Sequence, residues 1–387
     1  MKRETKLCHY GQPGLPGPAN PPVVRASTIL HQTLESYKAR KTARESDDSV
    51  LSYGRRGTTT AHALMEAIAD LEGGEGAWLY PTGVAAISAV LMALLRPGDH
   101  FLLVDTIFAA TRTFCDDVLA EFGVRYDLFP SDATDLTPYI RPETRLVFVE
   151  SPGSQTFEVM DLPALCKSAH DHGLTVVADN TYASGWLYQP LALGCDVSVI
   201  AGTKYLGGHA DVMMGAASAT GEAAQKIRAG AIVTGQTLAP DEAYATLRGM
   251  RTLSLRLERH ETNALQLARW LEGRTEVARV LHPALPAHPG HALWARDASG
   301  SNGLFSVAFV PGFDAGALAD RLRLFYVGSS WGGFESLVMP IAPARDRASL
   351  RGLPEDSQIL RFHAGLEHID DLIEDLQTAF DALSESQ

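Results

Sequence analysis

Lys204 lies in Ala201-Gly-Thr-Lys-Tyr-Leu-Gly-Gly-His209, just past an apolar run at 197–200, and Asp179 ends another apolar run twenty-five residues upstream. An amine that condenses with an aldehyde, and a carboxylate that keeps a ring nitrogen protonated, are the two groups pyridoxal phosphate requires. That cofactor implies bond breaking at the α-carbon of an amino acid. Lys204 is expected to form the resting imine and to act as base once a substrate amine displaces it. Asp179 would hold the pyridine nitrogen protonated, so that the ring accepts electrons. Lysines are mostly solvated surface charges, and Asp-Asn-Thr is also an ordinary turn sequence, so the pair needs support from the rest of the chain.

A phosphate needs donors. Tyr80-Pro-Thr-Gly83-Val84-Ala-Ala is a glycine turn leading into an apolar helix, whose first N–H groups and positive dipole end suit an anion. Ser52-Tyr53-Gly54-Arg55-Arg56-Gly57-Thr58 packs a phenol and a guanidinium fork into one short segment, and arginine grips phosphate through two hydrogen bonds. Arg361 sits in an otherwise apolar strand-like run, Gln358-Ile-Leu-Arg-Phe-His363. A buried arginine must find a partner: either a structural carboxylate or the α-carboxylate of a bound amino acid. His209 and His363 are read as structural neighbours. His282, His288 and His291 lie in a proline-rich stretch without a carboxylate or cysteine at ligand spacing, so no metal is expected.

The elements that must position these residues follow from the hydrophobic pattern. Continuous apolar runs at 77–80, 101–104, 146–149, 175–178 and 197–200 suit strands buried on both faces. Helical stretches at 61–71 and 85–95 accompany them, and Met160-Asp-Leu-Pro163 reads as a helix start capped by Asp161. The alternation predicts an α/β chain with a largely parallel sheet from about 58 to 248. A long charged helix from 252 would connect it to a smaller C-terminal α/β domain at 249–387. Residues 11–23, with glycine and proline throughout, predict an extended arm. In an open α/β sheet ligands bind at the carboxyl ends of the strands, where both Asp179 and Lys204 would lie.

Composition sets limits. Acidic residues outnumber basic ones by 46 to 33, giving a net charge of −13, and no basic cluster suits a nucleic acid. The longest apolar run, 85–95, is too short to span a bilayer, and the N-terminus carries no signal-like apolar core. No membrane is expected, and a cytoplasmic location is. The four cysteines, Cys8, Cys115, Cys166 and Cys195, are far apart in sequence and read as reduced thiols.

Taken together, the segments resemble the Cys/Met-metabolism family of pyridoxal-phosphate enzymes. The likeness runs through Tyr-Gly-Arg-Arg-Gly-Thr at 53–58, Leu-Glu-Gly-Gly at 71–74 and Glu-Ser-Pro-Gly-Ser at 150–154. It continues in Asp-Asn-Thr at 179–181, Thr-Lys-Tyr-Leu-Gly-Gly-His at 203–209, His-Pro-Ala-Leu-Pro at 282–286, Ser-Trp-Gly-Gly-Phe-Glu-Ser at 330–336 and Arg-Phe-His-Ala-Gly-Leu-Glu at 361–367. The resemblance implies a fold-type I enzyme, with an arm at 1–57, a mostly parallel seven-stranded sheet at 58–248 and the smaller C-terminal domain. It implies a homotetramer, a dimer of dimers with shared active sites.

Residue by residue, it makes Lys204 the imine lysine and Asp179 the ring-nitrogen partner. Gly83, Val84 and Thr203 would contact the phosphate, joined by Tyr53 and Arg55 from a neighbouring subunit, and Arg361 would hold the substrate carboxylate, with Ser329, Ser330 and Trp331 lining the substrate end. Phe108 stands where the family usually stacks a tyrosine on the ring; it retains the ring face but carries no proton, so any role of that phenol falls to Lys204, Tyr53 or water. Ser329 stands where tyrosine or glutamate is usual. Trp331 is typical of the branch that breaks the Cβ–S bond. The expected reaction is therefore β-elimination from a cysteine thioether such as L-cystathionine. The alternatives are γ-elimination or γ-replacement, a broader cysteine-conjugate lyase, and a regulator that binds pyridoxal phosphate without turnover. A dehydrogenase is disfavoured, since no Gly-x-Gly-x-x-Gly follows the first strand.

Overall fold

The five apolar runs do become strands, largely buried, and two further strands join them. In the computed structural model, which describes residues 1–12, 14–344 and 346–385, they are β1 (Gly76–Tyr80), β2 (His100–Val104), β3 (Arg125–Phe129), β4 (Thr144–Glu150), β5 (Thr175–Asp179), β6 (Val197–Ile200) and β7 (Gly215–Ala219). Pro13 of the expected arm lies outside the described residues. One seven-stranded sheet joins them in the order β1-β7-β6-β5-β4-β2-β3. Its pairings are parallel from β3 through β6, and β7 runs antiparallel to both β6 and β1.

Two strands carry no run of large apolar residues. β7 is Gly-Ala-Ala-Ser-Ala, buried throughout; its small side chains let helices pack close on a central strand. β3, Arg-Tyr-Asp-Leu-Phe, ends the sheet, and its polar residues face water.

The helices are α1 (Arg3–His9), α2 (Leu34–Ala43), α3 (Thr59–Glu72), α4 (Gly83–Leu94), α5 (Ala109–Phe114), α6 (Leu162–Asp171), α7 (Gly221–Thr234), α8 (Pro240–Met250) and α9 (Leu253–Glu272). The expected helices at 61–71 and 85–95 are α3 and α4. The helix start at Met160 is α6, where Asp161 accepts from the Ala164 amide at 3.4 Å. Among the described residues between α1 and α2 the arm has neither helix nor strand, in keeping with its prolines. Nothing on α2 is buried within this chain.

Beyond α9 come β8 (Val277–Leu281), β9 (Leu304–Phe309), β10 (Tyr326–Val327), β11 (Leu337–Ile341) and β12 (Ile359–His363), a five-stranded sheet in the order β10-β11-β12-β9-β8. A separate core sits beneath it, built from Phe305, Phe309, Phe325, Phe362 and Phe380 with leucines of α9 and of the helix Ile369–Ser384. Each such side chain removed from water contributes about 2 kcal/mol. That rigid backing fixes β12, the strand that carries Arg361.

Candidate active site

Asp179 and Lys204 come together at the carboxyl ends of β5 and β6. Asp179 pairs in register with Val199, and the Asn180 amide donates to Val199 O at 2.8 Å. Thr181 Oγ1 accepts from the Ala201 amide at 2.9 Å, tying the turn after Asp179 to the turn before Lys204. Asp179 is 7% exposed, and its Oδ1 accepts from the Thr181 amide at 2.9 Å. Burial raises its carboxyl above the ordinary range, and the Thr181 hydroxyl and amide pull it partly back. A cation brought to this carboxylate would lower it further.

The Lys204 backbone is held from behind by its neighbour. The Tyr205 hydroxyl accepts from the Gly303 amide at 3.0 Å, and its ring packs on His260, Trp331 and His363. Arg256 of α9 donates to Tyr205 O at 2.8 Å. In front, Lys204 Nζ donates to Ser330 Oγ at 2.8 Å and lies 5.3 Å from the centre of the Trp331 ring. Gly332 permits this approach: at φ +88° it lies so close that a Cβ would sit 2.9 Å from the Lys204 carbonyl carbon.

Burial first, and then the Arg361 cation, lower the Lys204 amine to about 8. Because the charged form is the one disfavoured, the amine loses its proton at lower pH than an ordinary lysine. About half of it is neutral at pH 8, against about 0.3% for an unperturbed side chain. In cofactor-free protein, arylation of Lys204 followed by peptide mapping should therefore show a pH midpoint near 8. A midpoint near that of the surface lysines would contradict the burial argument.

Arg361 answers the question its sequence posed. Its guanidinium donates to Ser329 O and Ser330 O, both at 3.3 Å, and burial pulls it below its ordinary value. Among the described residues no carboxylate pairs with it. A half-buried cation satisfied only by two long contacts to carbonyls is matched to an anion from outside the chain.

The opposite wall is the N-terminus of α4. Thr82 caps it by accepting from the Ala85 amide at 3.0 Å, which leaves Gly83 and Val84 at the start of the helix without intrahelical acceptors. A Cβ on Gly83 would meet the Ala201 Cβ at 2.6 Å, so only glycine lets this helix end touch the turn that leads to Lys204. Thr203 Oγ1 accepts from the Met214 amide at 2.9 Å and donates to Met214 O at 3.1 Å. That carbonyl also accepts from the Thr203 amide, so it keeps a partner if the hydroxyl rotates its proton toward a phosphate oxygen. The donor set thus fits a phosphorylated pyridine aldehyde: an amine depressed in basicity, a buried carboxylate, and a helix N-terminus beside a hydroxyl.

Tyr53 and Arg55 are elsewhere. Tyr53 pairs with Thr28 in an isolated bridge and is 44% exposed. Arg55 Nη1 donates to Ile232 O at 2.8 Å, near the end of α7. Phe108, 42% exposed, precedes α5, and its amide donates to Glu150 Oε2 at 2.6 Å. Sequence reasoning passed over Glu150, although it ends the β4 run as Asp179 ends β5, and the two are register partners. Burial, and then the charge of Asp179, raise its carboxyl well above the usual range.

The remaining candidates are structural. His209 Nδ1 bonds Gly207 O at 2.8 Å, and His363 Nε2 accepts from the Gly332 amide at 3.1 Å. Among the described residues no group of three His, Cys, Asp or Glu side chains could hold a metal ion. The cysteines are free thiols, with Cys166 and Cys195 buried 3.6 Å apart.

A mostly parallel sheet that sets an amine and a carboxylate on adjoining strand ends places the chain among the fold-type I pyridoxal-phosphate enzymes. Known proteins narrow this. The structure of metB from Corynebacterium glutamicum superposes with a TM-score of 0.87, at 29% identity, over 99% of this chain and 98% of that one. The putative cystathionine beta-lyase of Rhizobium johnstonii is 43% identical over 98% of this chain and 96% of its own length. Cystathionine beta-lyase MetC of Escherichia coli is 39% identical over 94% of each. The profile of the Cys/Met metabolism PLP-dependent enzymes matches residues 4–381, and the chain belongs to that family.

Proposed function

We propose that the protein is a carbon–sulfur β-lyase that cleaves L-cystathionine to homocysteine, pyruvate and ammonia. The observation that carries this reading is the pairing of a desolvated Lys204 amine, 2.8 Å from Ser330 Oγ, with an Arg361 that no carboxylate among the described residues neutralises. The names of the similar proteins and the Trp331 ring beside Lys204 support the β branch.

Bound pyridoxal phosphate supplies an aldehyde that condenses with amines and a ring that draws electrons from the substrate's Cα. The chain does the rest. Asp179 holds the ring nitrogen protonated. The Gly83 and Val84 amides and the Thr203 hydroxyl would hold the phosphate, and Phe108 would offer its apolar ring to the cofactor. Arg361 grips the substrate carboxylate and so fixes the Cα–H bond. Lys204 removes that proton and returns one to sulfur as the Cβ–S bond breaks; the neutral amine needed for the first step is the form that burial favours. Ser330 holds Nζ between these tasks. Water then releases pyruvate and ammonia, which balances the reaction with one water consumed.

We assign Tyr53 and Arg55 to the phosphate of a neighbouring subunit, in a homotetramer whose division into arm 1–57, cofactor domain 58–248 and small domain 249–387 follows the family pattern. Supporting this, α2 buries no residue in its own chain, Tyr53 is exposed, and Arg55 turns to Ile232 rather than to the Lys204 crevice. A cytoplasmic site of action suits this chemistry, and among the described residues no helix is long and apolar enough to cross a membrane.

Incubation of the cofactor-loaded protein with L-cystathionine should yield pyruvate and homocysteine. 2-Oxobutyrate and cysteine would instead identify γ-elimination, the reading that the small, exposed Ser329 leaves open.

A further inference from the structure

Next to Asp179, bonded to its neighbour Asn180, lies a second carboxylate for which the proposed reaction has no role. Glu72, the last residue of α3, is completely buried. Its two oxygens lie 3.3 and 3.1 Å from Nδ2 of Asn180, the residue next to Asp179, and the same nitrogen donates to Tyr188 O at 3.0 Å. A cation accompanies it. Arg3 of α1 stacks over Trp186 at 4.7 Å and donates to Trp186 O, Gly185 O and Leu71 O. Burial lifts the Glu72 carboxyl to about 7; Ser198, Asn180 and Arg3 pull it down, and Asp179 pushes it up. Above neutral pH it is mostly charged.

The charge balance gives this carboxylate a purpose. With both carboxylates ionised, Asp179, Glu72 and Arg3 together carry one net negative charge. A protonated ring nitrogen brings it to zero. Without Glu72, Arg3 would already balance Asp179, and the same ring would leave an excess positive charge in a water-poor site, where such an excess is costly.

We propose that Glu72, linked through Asn180, is a positioning residue of the cofactor site whose negative charge sustains ring-nitrogen protonation at Asp179 and so tightens cofactor retention. Arg3 ties the N-terminal helix into the same cluster. The inference rests on the assignment of Asp179 to the ring nitrogen.

The test is a double-mutant cycle on the holoenzyme, read as the cofactor dissociation constant and the absorbance of the bound cofactor. Glu72→Gln keeps the shape and an acceptor for Asn180 while removing the charge; it should weaken retention about fivefold to tenfold and shift the absorbance. In the Asp179→Asn background the same substitution should change the constant less than about twofold, because the charge it assists is gone. An equal loss in both backgrounds would make Glu72 merely structural and overturn the proposal, as would an unchanged constant in Glu72→Gln while Asp179→Asn alone weakens binding. If Asp179→Asn itself leaves retention and absorbance unaltered, the Asp179 assignment fails and takes this inference with it. Should Glu72→Gln not accumulate, the parent's dissociation constant should weaken as pH falls through about 7, where Glu72 takes up its proton, and that of Asp179→Asn should not; the same pH dependence in both would overturn the proposal.

Discussion

Lys204→Ala is expected to lower turnover of L-cystathionine by about 10⁴-fold or more, because in the proposed reaction one amine serves as cofactor anchor, base at Cα and acid at sulfur. The loss should come without unfolding. Lys204 Nζ makes one side-chain hydrogen bond, to Ser330, and the Tyr205 ring and Arg256 hold the backbone independently of it. Removing the side chain also removes a cation that burial disfavours, so the melting temperature should not fall at neutral pH. The sign follows from linkage. A lysine near 8 in the fold and near its ordinary value when unfolded binds fewer protons when folded, so it works against folding below that ordinary value. Borohydride reduction and peptide mapping should find the cofactor attached to the Lys204 peptide in the parent and to none in the variant. Full activity in Lys204→Ala, with the fold intact, would refute the assignment outright.

How much of this was legible in the sequence depends on whether the residue's task is local. Asp179 and Lys204 announce themselves because each closes or follows a continuous apolar run, and parallel strands put the ends of such runs in one crevice. Gly83 and Val84 are legible for the same reason, as a turn before an apolar helix. β7 was not, because alanine and glycine carry no strand signature; close packing against α4 and α7 decides its conformation. α1 and α2 escaped notice too: one is a single short stretch docked by Arg3, the other buries nothing in its own chain. Glu72 sat in a recognisable Leu-Glu-Gly-Gly motif, but its partner Asn180 lies 108 residues away, and no local pattern reveals such a pairing. Tyr53 and Arg55 mark the other limit. The motif carries their proposed assignment to a neighbouring subunit, whereas the single chain shows Tyr53 exposed and Arg55 turned to Ile232.

Arg361→Ala tests the remaining half of the site, and its effect should fall chiefly on KM. A guanidinium that forks onto a carboxylate in a partly desolvated pocket commonly accounts for about 3 kcal/mol of binding, which predicts a rise in KM of about 100-fold. A smaller loss in kcat should follow, since a substrate no longer gripped at its carboxylate presents its Cα–H bond less well to Lys204. Arg361→Lys should recover only part of the loss: an ammonium keeps the charge and gives up the fork. The same substitution has a second signature that a merely structural arginine would lack. Arg361 is the charge that, after burial, holds the Lys204 amine down, so in the cofactor-free alanine variant the midpoint of Lys204 arylation should move upward. A raised KM together with an upward midpoint would place Arg361 between substrate and base. A KM equal to the parent's would mean that the carboxylate docks elsewhere and that the two carbonyl contacts of Arg361 are its whole purpose.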